Sequence, residues 1–257
     1  MTAECAEKTV VLIHGLSEER SVWSRQESFL RLSMNVVSYD VRGFGTSPVG
    51  AGIGSVGQFA DDLAQILSAQ STGAVWLVGF SMGGVIAQRF ALDFPGLVKG
   101  LILVASSCTV GRPGIAFFNR RIEQATDGGL EAIKSITMAD ASGCFSIGDE
   151  QLIEEYRQLR TEAVRDVDGY LNACRAMLRL ADEPMLSELG AIDCPSLVLT
   201  GERDPYCPPR ASEMIATAIP GAELTVIPDA GHCMHWELPD QTNELILEFI
   251  ERRGQVI

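Results

Sequence analysis

The chain has 257 residues, of which 46% are hydrophobic and 21% are charged, and this composition excludes a disordered or fibrous protein and favours one folded domain with an insertion. The formal net charge of −14 disfavours nucleic acid and anionic membrane surfaces as partners. The seven cysteines show no repeated spacing and the first residues are acidic, so we expect reduced thiols and a cytoplasmic location.

Short, continuously apolar runs predict strands that are buried on both faces, as in a mostly parallel sheet. The predicted strands are 9–13, 36–39, 75–78, 101–104, 196–199 and 223–227. Apolar residues at helical spacing predict helices between them, at 56–69, 84–94, 210–218 and 240–252. This alternation of strand and helix predicts a doubly wound α/β sheet.

The alternation stops between residues 109 and 189, where only helices are predicted, at 129–137, 149–165 and 167–180. An all-helical block between strands predicts a cap over one end of the sheet, opening at a turn at 111–114. We therefore expect a core of 1–108 and 190–257, with a helical cap of 109–189 inserted into it.

The strongest local motif is Gly-Phe-Ser-Met-Gly-Gly at 79–84, between a predicted strand and a predicted helix. A Gly-x-Ser-x-Gly motif in this context predicts a sharp turn that exposes the serine at the carboxyl edge of the sheet. Ser81 is therefore the candidate nucleophile. The Met82 N–H is a candidate donor to a developing negative charge.

A second backbone donor is expected from the loop after the first strand, at His14-Gly15-Leu16. Gly15 permits close approach of the backbone, so the Leu16 N–H is the candidate. His14 is a possible base, although its place at the strand end favours an orienting hydrogen bond.

A serine nucleophile needs a base and a carboxylate that orients the base. His232 follows the last predicted strand and is favoured as base over His235. Asp204 follows the strand at 196–199 and precedes a proline, which favours a loop conformation. Asp204 is therefore favoured as the acid over Glu202, which we expect to be solvated or paired with Arg203.

Five segments together resemble the α/β-hydrolase superfamily: 14–15, 40–47, 79–84, 201–204 and 230–232. The resemblance extends to the branch of 3-oxoadipate enol-lactonases, small carboxylesterases, haloperoxidase-like esterases and meta-cleavage carbon–carbon hydrolases. It implies an α/β-hydrolase fold with Ser81 as nucleophile, Asp204 as acid and His232 as base. It also implies Leu16 and Met82 as oxyanion donors and places Arg42 in a loop near the site.

Two departures from the family stand out. About eight residues precede the first predicted strand, so a shortened N-terminus that lacks the usual hairpin is expected, with one sheet edge protected in another way. The predicted cap has no cluster of basic residues for a substrate carboxylate, because Arg112, Arg120 and Arg121 are scattered. The acidic balance likewise disfavours strongly anionic substrates.

The expected activity is hydrolysis of a small carboxylic ester or lactone through an acyl-enzyme on Ser81. One alternative is a carbon–carbon bond hydrolase or related lyase that uses the same residues. Another is a hydrolase fold that binds a small ligand without catalysis. The substrate is expected to be a small molecule, and the sequence leaves the oligomeric state open.

Other motifs are interpreted as incidental. Gly-x-Gly-x-x-Gly at 52–57 follows no strand, which argues against a dinucleotide site. Cys207, His232, Cys233 and His235 fit no standard zinc spacing, so neither a cofactor nor a metal is expected. Among the aromatic residues, Trp23, Phe117 and Phe118 are the candidates for lining an apolar substrate pocket.

Overall fold

The computed structural model describes residues 8–148 and 150–254. Its strands are β1 (Thr9–Ile13), β2 (Asn35–Ser38), β3 (Val75–Phe80), β4 (Val98–Val104), β5 (Ser196–Gly201) and β6 (Glu223–Ile227). Within the described residues these strands form one six-stranded sheet in the order β2-β1-β3-β4-β5-β6. Every neighbouring pair is parallel.

The α-helices are α1 (Ser24–Leu30), α2 (Val56–Gln70), α3 (Met82–Asp93), α4 (Arg112–Gly143), α5 (Glu150–Ala163), α6 (Val167–Arg179), α7 (Pro209–Ala218), α8 (Met234–Glu237) and α9 (Pro239–Gly254). Short 3₁₀ turns occur at Arg20–Trp23, Pro95–Leu97, Met185–Ser187 and Leu189–Ala191. Among the helices of residues 8–148 and 150–254, none combines the length and apolar character that a membrane crossing requires.

Helices cover both faces of the sheet, which explains why its strands are apolar on both sides. On one face, α2, α3 and α7 pack against side chains such as Val11 and Leu77, which are fully buried. On the other face, α1 and α9 pack against side chains such as Leu12 and Val78. Two apolar clusters, one on each side of the sheet, therefore fix the orientation of every strand.

The predicted parallel α/β sheet is confirmed, and β1 and β6 have the predicted bounds. β4 begins three residues earlier than predicted, because Lys99 and Gly100 interrupt the apolar run without interrupting the strand. Helix α1 and the turn at Arg20–Trp23 were not predicted, since their apolar residues are few. The prediction of a shortened N-terminus concerns residues before Lys8, which lie outside the described residues. Asp149, the first residue of the helix predicted at 149–165, also lies outside them.

The segment 109–189 contains α4, α5 and α6. The turn predicted at 111–114 is wrong, because α4 already begins at Arg112 and Pro113 occupies its first turn, where proline is favoured. The helix predicted at 129–137 is only part of α4. Gly129 kinks α4 with φ 62° and ψ −154°, a conformation that is essentially restricted to glycine.

The segment 109–189 contacts the loop that follows β2. The Gly45 N–H donates to the Ala163 carbonyl at 2.9 Å, and the Gly54 N–H donates to Asn172 Oδ1 at 2.7 Å. Gly43 and Gly169 meet so closely that a Cβ on Gly169 would lie 2.3 Å from the Gly43 carbonyl oxygen. These contacts hold the end of α5 and the helix α6 against the loop after β2.

Substitution Gly169→Ala tests this close contact. The added methyl group overlaps the backbone of Gly43, so we expect the free energy of unfolding to fall by about 1–3 kcal/mol, as in other overpacked sites, measured by urea unfolding. The matched control is Gly57→Ala in α2, where the nearest atom to the new Cβ is 4.0 Å away; its stability should be unchanged or slightly higher. Equal stability of the Gly169→Ala variant and the wild type would contradict the contact.

Candidate active site

Parallel strands present their carboxyl ends at a single edge of the sheet, and α4 and α5 contact loops that leave that edge. From β1 the chain proceeds to β2 on one side, whereas from β3 it proceeds to β4 on the other. Such a reversal of strand order opens a crevice at the carboxyl ends of the two strands. The segment 14–18 after β1 and Ser81 after β3 therefore face the same crevice.

Ser81 occupies a strained turn between β3 and α3. Its backbone has φ 51° and ψ −115°, a conformation unfavourable for a residue with a side chain. The turn persists because the Ser81 N–H donates to the Val104 carbonyl at 2.9 Å and the Ser106 hydroxyl donates to the Ser81 carbonyl at 2.9 Å. A Cβ on Gly83 would lie 2.0 Å from the Ile13 carbonyl oxygen, so only glycine fits where α3 meets β1.

Ser81, His232 and Asp204 are hydrogen-bonded in series. His232 Nε2 lies 3.1 Å from Ser81 Oγ, and His232 Nδ1 lies 2.7 Å from Asp204 Oδ2. The other oxygen of Asp204 accepts the backbone N–H groups of Tyr206 at 2.8 Å and Cys207 at 2.9 Å. Since a carboxylate only accepts hydrogen bonds, Nδ1 carries the hydrogen of His232 and Nε2 is left to accept from the serine.

The environment of His232 favours its protonated form. Burial alone would lower the pKa of this imidazole, but the negative charge of Asp204 and its hydrogen bond raise the pKa above the ordinary value of 6.5. His232 is 6% exposed and Asp204 is 4% exposed, so water screens the pair only weakly.

The rival candidates lie elsewhere. His235 is fully buried between the rings of Trp23, at 5.0 Å, and Phe80, at 4.3 Å, and burial lowers its pKa to about 3. Glu202 accepts the backbone N–H of Asp229. Glu202 is exposed, in agreement with the expectation that it is solvated, and it does not pair with Arg203, which pairs with Asp229.

His14 orients the loop after β1. The Val41 N–H donates to His14 Nε2 at 2.8 Å, so His14 Nδ1 carries the hydrogen and donates to the Gly15 carbonyl at 2.9 Å. Burial lowers the pKa of His14 to about 4, which keeps the ring neutral. Within residues 8–148 and 150–254, no group accepts the N–H of Leu16 or of Met82.

The candidate pocket residues have different surroundings. Trp23 is fully buried at the end of its 3₁₀ turn, so the prediction that it lines a pocket is wrong: it is part of the core beneath His235. Phe118 is partly buried and packs against the apolar cluster that includes Met82. The Phe117 ring lies 6.2 Å from the Tyr206 ring.

Tyr206 was missed by the sequence reasoning. Its ring lies 5.3 Å from the His232 ring, and its hydroxyl donates to the Asp140 carbonyl of α4 at 3.1 Å. It therefore joins the loop of Asp204 to the cap, next to the imidazole. Two features of the sequence could have identified Tyr206 as a residue of the site: it is aromatic, and it lies two residues after Asp204.

Two cap arginines also point inward rather than into solvent. Arg121 pairs with Asp140, and Arg160 donates to the Leu16 carbonyl at 3.3 Å. Both are therefore engaged within the protein. Sequence reasoning did not select Arg160, because nothing in its neighbourhood in the sequence distinguishes it from the other charged residues of α5.

Together these groups have the components of acyl transfer. A serine hydroxyl contacts an imidazole that can accept its proton, and a buried carboxylate orients and stabilises the imidazole. Two backbone N–H groups on the adjacent loop and helix are available to stabilise an oxyanion.

Comparison with known proteins identifies the family of the chain. A profile described as the alpha/beta hydrolase family matches residues 10–245. A thermophilic esterase from Thermogutta terrifontis is 30% identical, with a TM-score of 0.84, over 96% of this chain and 90% of the esterase. A protein of Pantoea ananatis, provisionally named carbamate hydrolase RutD, is 26% identical over 96% of this chain and 90% of its own length. The enol-lactonase from Burkholderia xenovorans, 23% identical over 95% of this chain and 92% of the lactonase, has the same fold with a TM-score of 0.86.

The buried neutral His14 should make stability depend on pH. Its pKa is about 4 in the folded protein and close to 6.5 when it is exposed, so the unfolded chain binds more protons between these values. The free energy of unfolding should therefore fall as the pH is lowered from 6.5 towards 4, by up to ~1.4 kcal/mol per pH unit from this residue.

Urea unfolding of the wild type and of His14→Gln over this pH range isolates the effect. Glutamine does not titrate. The variant should be less stable than the wild type at neutral pH, and the difference between their free energies of unfolding should shrink as the pH falls. A difference in stability that stays constant with pH would show that His14 does not stay neutral in the folded protein.

Proposed function

Since the chain belongs to the alpha/beta hydrolase family, we propose that it is a serine hydrolase that cleaves a small carboxylic ester or lactone through an acyl-enzyme on Ser81. The observation that carries the proposal is the series of hydrogen bonds from Ser81 through His232 to Asp204. In this proposal residues 1–108 and 190–257 supply these groups, and the cap of 109–189 encloses the substrate.

In the first step Ser81 Oγ attacks the carbonyl carbon while His232 Nε2 removes its proton. The electron pair of the carbonyl double bond moves onto the oxygen, which becomes an oxyanion. Asp204 accepts the hydrogen bond of Nδ1 and stabilises the imidazolium that forms, without itself taking the proton. The raised pKa of His232 is consistent with this stabilisation.

The oxyanion is stabilised by the N–H groups of Leu16 and Met82. The Met82 N–H lies at the start of α3, where the partial positive charge of the helix N-terminus adds to the hydrogen bond. Preorganised donors of this kind are effective because they need no rearrangement during the reaction. Loss of one such donor reduces the rate by about 10²–10³-fold in serine hydrolases.

The oxyanion then collapses, the bond to the leaving oxygen breaks, and His232 gives its proton to that oxygen. A water molecule next adds to the acyl-enzyme, with His232 again removing a proton, and the second collapse returns the proton to Ser81 Oγ. For a lactone the leaving oxygen stays attached to the acyl group, so ring opening gives a single hydroxy acid.

Esters and lactones are favoured by the 30% identity to an esterase over most of both chains. The partly exposed apolar side chains of Leu16 and Phe118, which pack against the same apolar cluster, suit an uncharged acyl group. A carbamate also has a carbonyl group that a serine can attack. Because one relative is named for carbamate hydrolysis, carbamates are tested beside esters and lactones as substrates.

Substitution Ser81→Ala should abolish turnover of p-nitrophenyl butyrate, because no other group replaces the nucleophile. A fluorophosphonate probe should label the wild type at Ser81 and leave the variant unlabelled. The matched control is Ser28→Ala: Ser28 is an exposed serine in α1 whose hydroxyl, among the residues that the structure describes, hydrogen-bonds only to the Ser24 carbonyl, and both activity and labelling should persist.

Undiminished turnover by Ser81→Ala would refute the mechanism. A wild type that resists the probe would favour a ligand-binding protein without catalysis. A wild type that is labelled, yet cleaves no ester, lactone or carbamate and does cleave a dienoate ring-fission product, would favour the carbon–carbon hydrolase.

The pH dependence should report His232. Its protonated form cannot accept the Ser81 proton, so kcat/KM should fall on the acid side. Because the pKa of His232 is raised, the midpoint should lie above 6.5. Steady-state kinetics across this range checks the expectation, and a midpoint well below 6.5 would contradict the attribution to Asp204-stabilised His232.

A further inference from the structure

Four buried side chains, one in the segment 14–18 and three packed around it, have no part in the mechanism above. They are Glu18, which is 1% exposed, and Tyr156, Arg160 and Cys233, which are also buried. Burying a carboxylate and a guanidinium is unfavourable unless each is engaged in polar contacts. The contacts they make are therefore informative about what they do.

Glu18 and Arg160 hold the backbone on either side of the Leu16 N–H. The Gly15 N–H, which shares a peptide plane with the His14 carbonyl, donates to Glu18 Oε2 at 2.7 Å. The Leu16 carbonyl, which shares a plane with the Ser17 N–H, accepts from Arg160 Nη2 at 3.3 Å. Both planes adjoin the plane that contains the Leu16 N–H.

The central plane is held by His14. Its Nδ1–H donates to the Gly15 carbonyl, and in a trans peptide the Leu16 N–H points in the opposite direction. Three consecutive peptide planes are thus each restrained by a buried side chain. The restraint matters because Ser17, two residues after Gly15, has φ 62°, a conformation that side chains disfavour.

A second layer of contacts fixes Glu18 itself. The Tyr156 hydroxyl donates to Glu18 Oε1, and Cys233 Sγ, in the residue directly after His232, donates to the Tyr156 hydroxyl oxygen at 2.9 Å. Tyr156 and Arg160 are four residues apart on α5 and therefore share one face of the helix. One face of a cap helix thus contacts both the loop of the proposed oxyanion donor and the loop of the proposed base.

We propose that Glu18, Tyr156 and Arg160 are positioning residues that orient the Leu16 N–H towards the oxyanion. The inference rests on the proposed function for its catalytic consequence. It assigns to α5 a role in transition-state stabilisation in addition to enclosing the substrate. None of the three side chains needs to touch the substrate for this role.

The kinetic test uses Glu18→Ala and Glu18→Gln with p-nitrophenyl butyrate, with active sites counted by the fluorophosphonate. Glu18→Ala frees the Gly15 N–H, so kcat per active site should fall at least about tenfold while KM changes less than about threefold, since uniform binding is retained. Glu18→Gln keeps an oxygen for Gly15 and an amide that donates to Tyr156, so kcat should recover to within about threefold of the wild type.

Inhibition by a trifluoromethyl ketone separates positioning from a purely structural role. Its adduct with Ser81 carries an oxyanion, so its affinity should fall in Glu18→Ala in parallel with kcat/KM. The variant Arg160→Met, which keeps much of the volume but no donor, should behave similarly and remains informative where Glu18→Ala fails to fold.

Two substitutions serve as matched controls. Glu27→Ala removes a glutamate that accepts hydrogen bonds from Ser38 and Arg31. Tyr39→Phe removes a buried hydroxyl that has no hydrogen-bond partner among the described residues. Neither should alter kcat or inhibitor affinity. Tyr156→Phe, in contrast, should lower kcat by severalfold.

Hydrogen–deuterium exchange does not depend on catalysis, so it tests the positioning of the loop separately from the proposed function. Hydrogen–deuterium exchange of the peptide spanning 14–18 should be faster in Glu18→Ala and near the wild-type rate in Glu18→Gln. That result together with an inactive wild type would overturn the proposed function and leave the positioning of the loop supported. Unchanged exchange, or wild-type kcat per active site in both Glu18→Ala and Arg160→Met, would overturn the positioning role.

Discussion

The parallel pairing of β1 with β3 is the constraint on which the site depends. It sets Ile13 opposite Gly79, and it brings α3 so close to β1 that Gly83 has no room for a Cβ. The loop after β1 and the turn at Ser81 therefore emerge side by side. The pairing of β4, β5 and β6 then brings the loops of Asp204 and His232 to the same edge of the sheet. The proposed chemistry thus follows from strand order, with each functional group on a different loop.

The three histidines illustrate how the surroundings, rather than the residue type, determine what an imidazole does. His14 and His235 are buried without an acidic hydrogen-bond partner in the described part of the chain, and burial lowers the pKa of each. His232 is also buried, at 6% exposed, but Asp204 raises its pKa. The His14 ring is consequently a fixed hydrogen-bond donor in the loop of Leu16, and the His235 ring packs among aromatic rings. Of the three, His232 is the one that combines a nitrogen facing Ser81 with stabilisation of its positive charge.

Much of this architecture could be predicted from sequence, because buried parallel strands are continuous apolar runs and the Gly-x-Ser-x-Gly turn has few structural alternatives. Ser81, Asp204 and His232 each lie within five residues after a predicted strand, and loops at the carboxyl edge of one parallel sheet were expected to lie near one another. The contacts of Tyr156 and Arg160 with Glu18 and Leu16 could not be predicted, since they join residues more than a hundred positions apart and depend on how the cap docks. Trp23 was misjudged for a related reason: its position in the chain suggested a pocket, whereas the packing of α1 and α9 around it places it in the core.

The face of α5 that holds the loop of residues 14–18 limits how freely the cap can be exchanged by recombination. An inserted helical segment is usually regarded as a module that can diversify while the core stays the same. Here a foreign helical segment without a tyrosine and an arginine at the positions of Tyr156 and Arg160 would leave Glu18 Oε1 and the Leu16 carbonyl without these donors. New specificity in this scaffold should therefore be sought first in α4, with the inward face of α5 inherited together with the core.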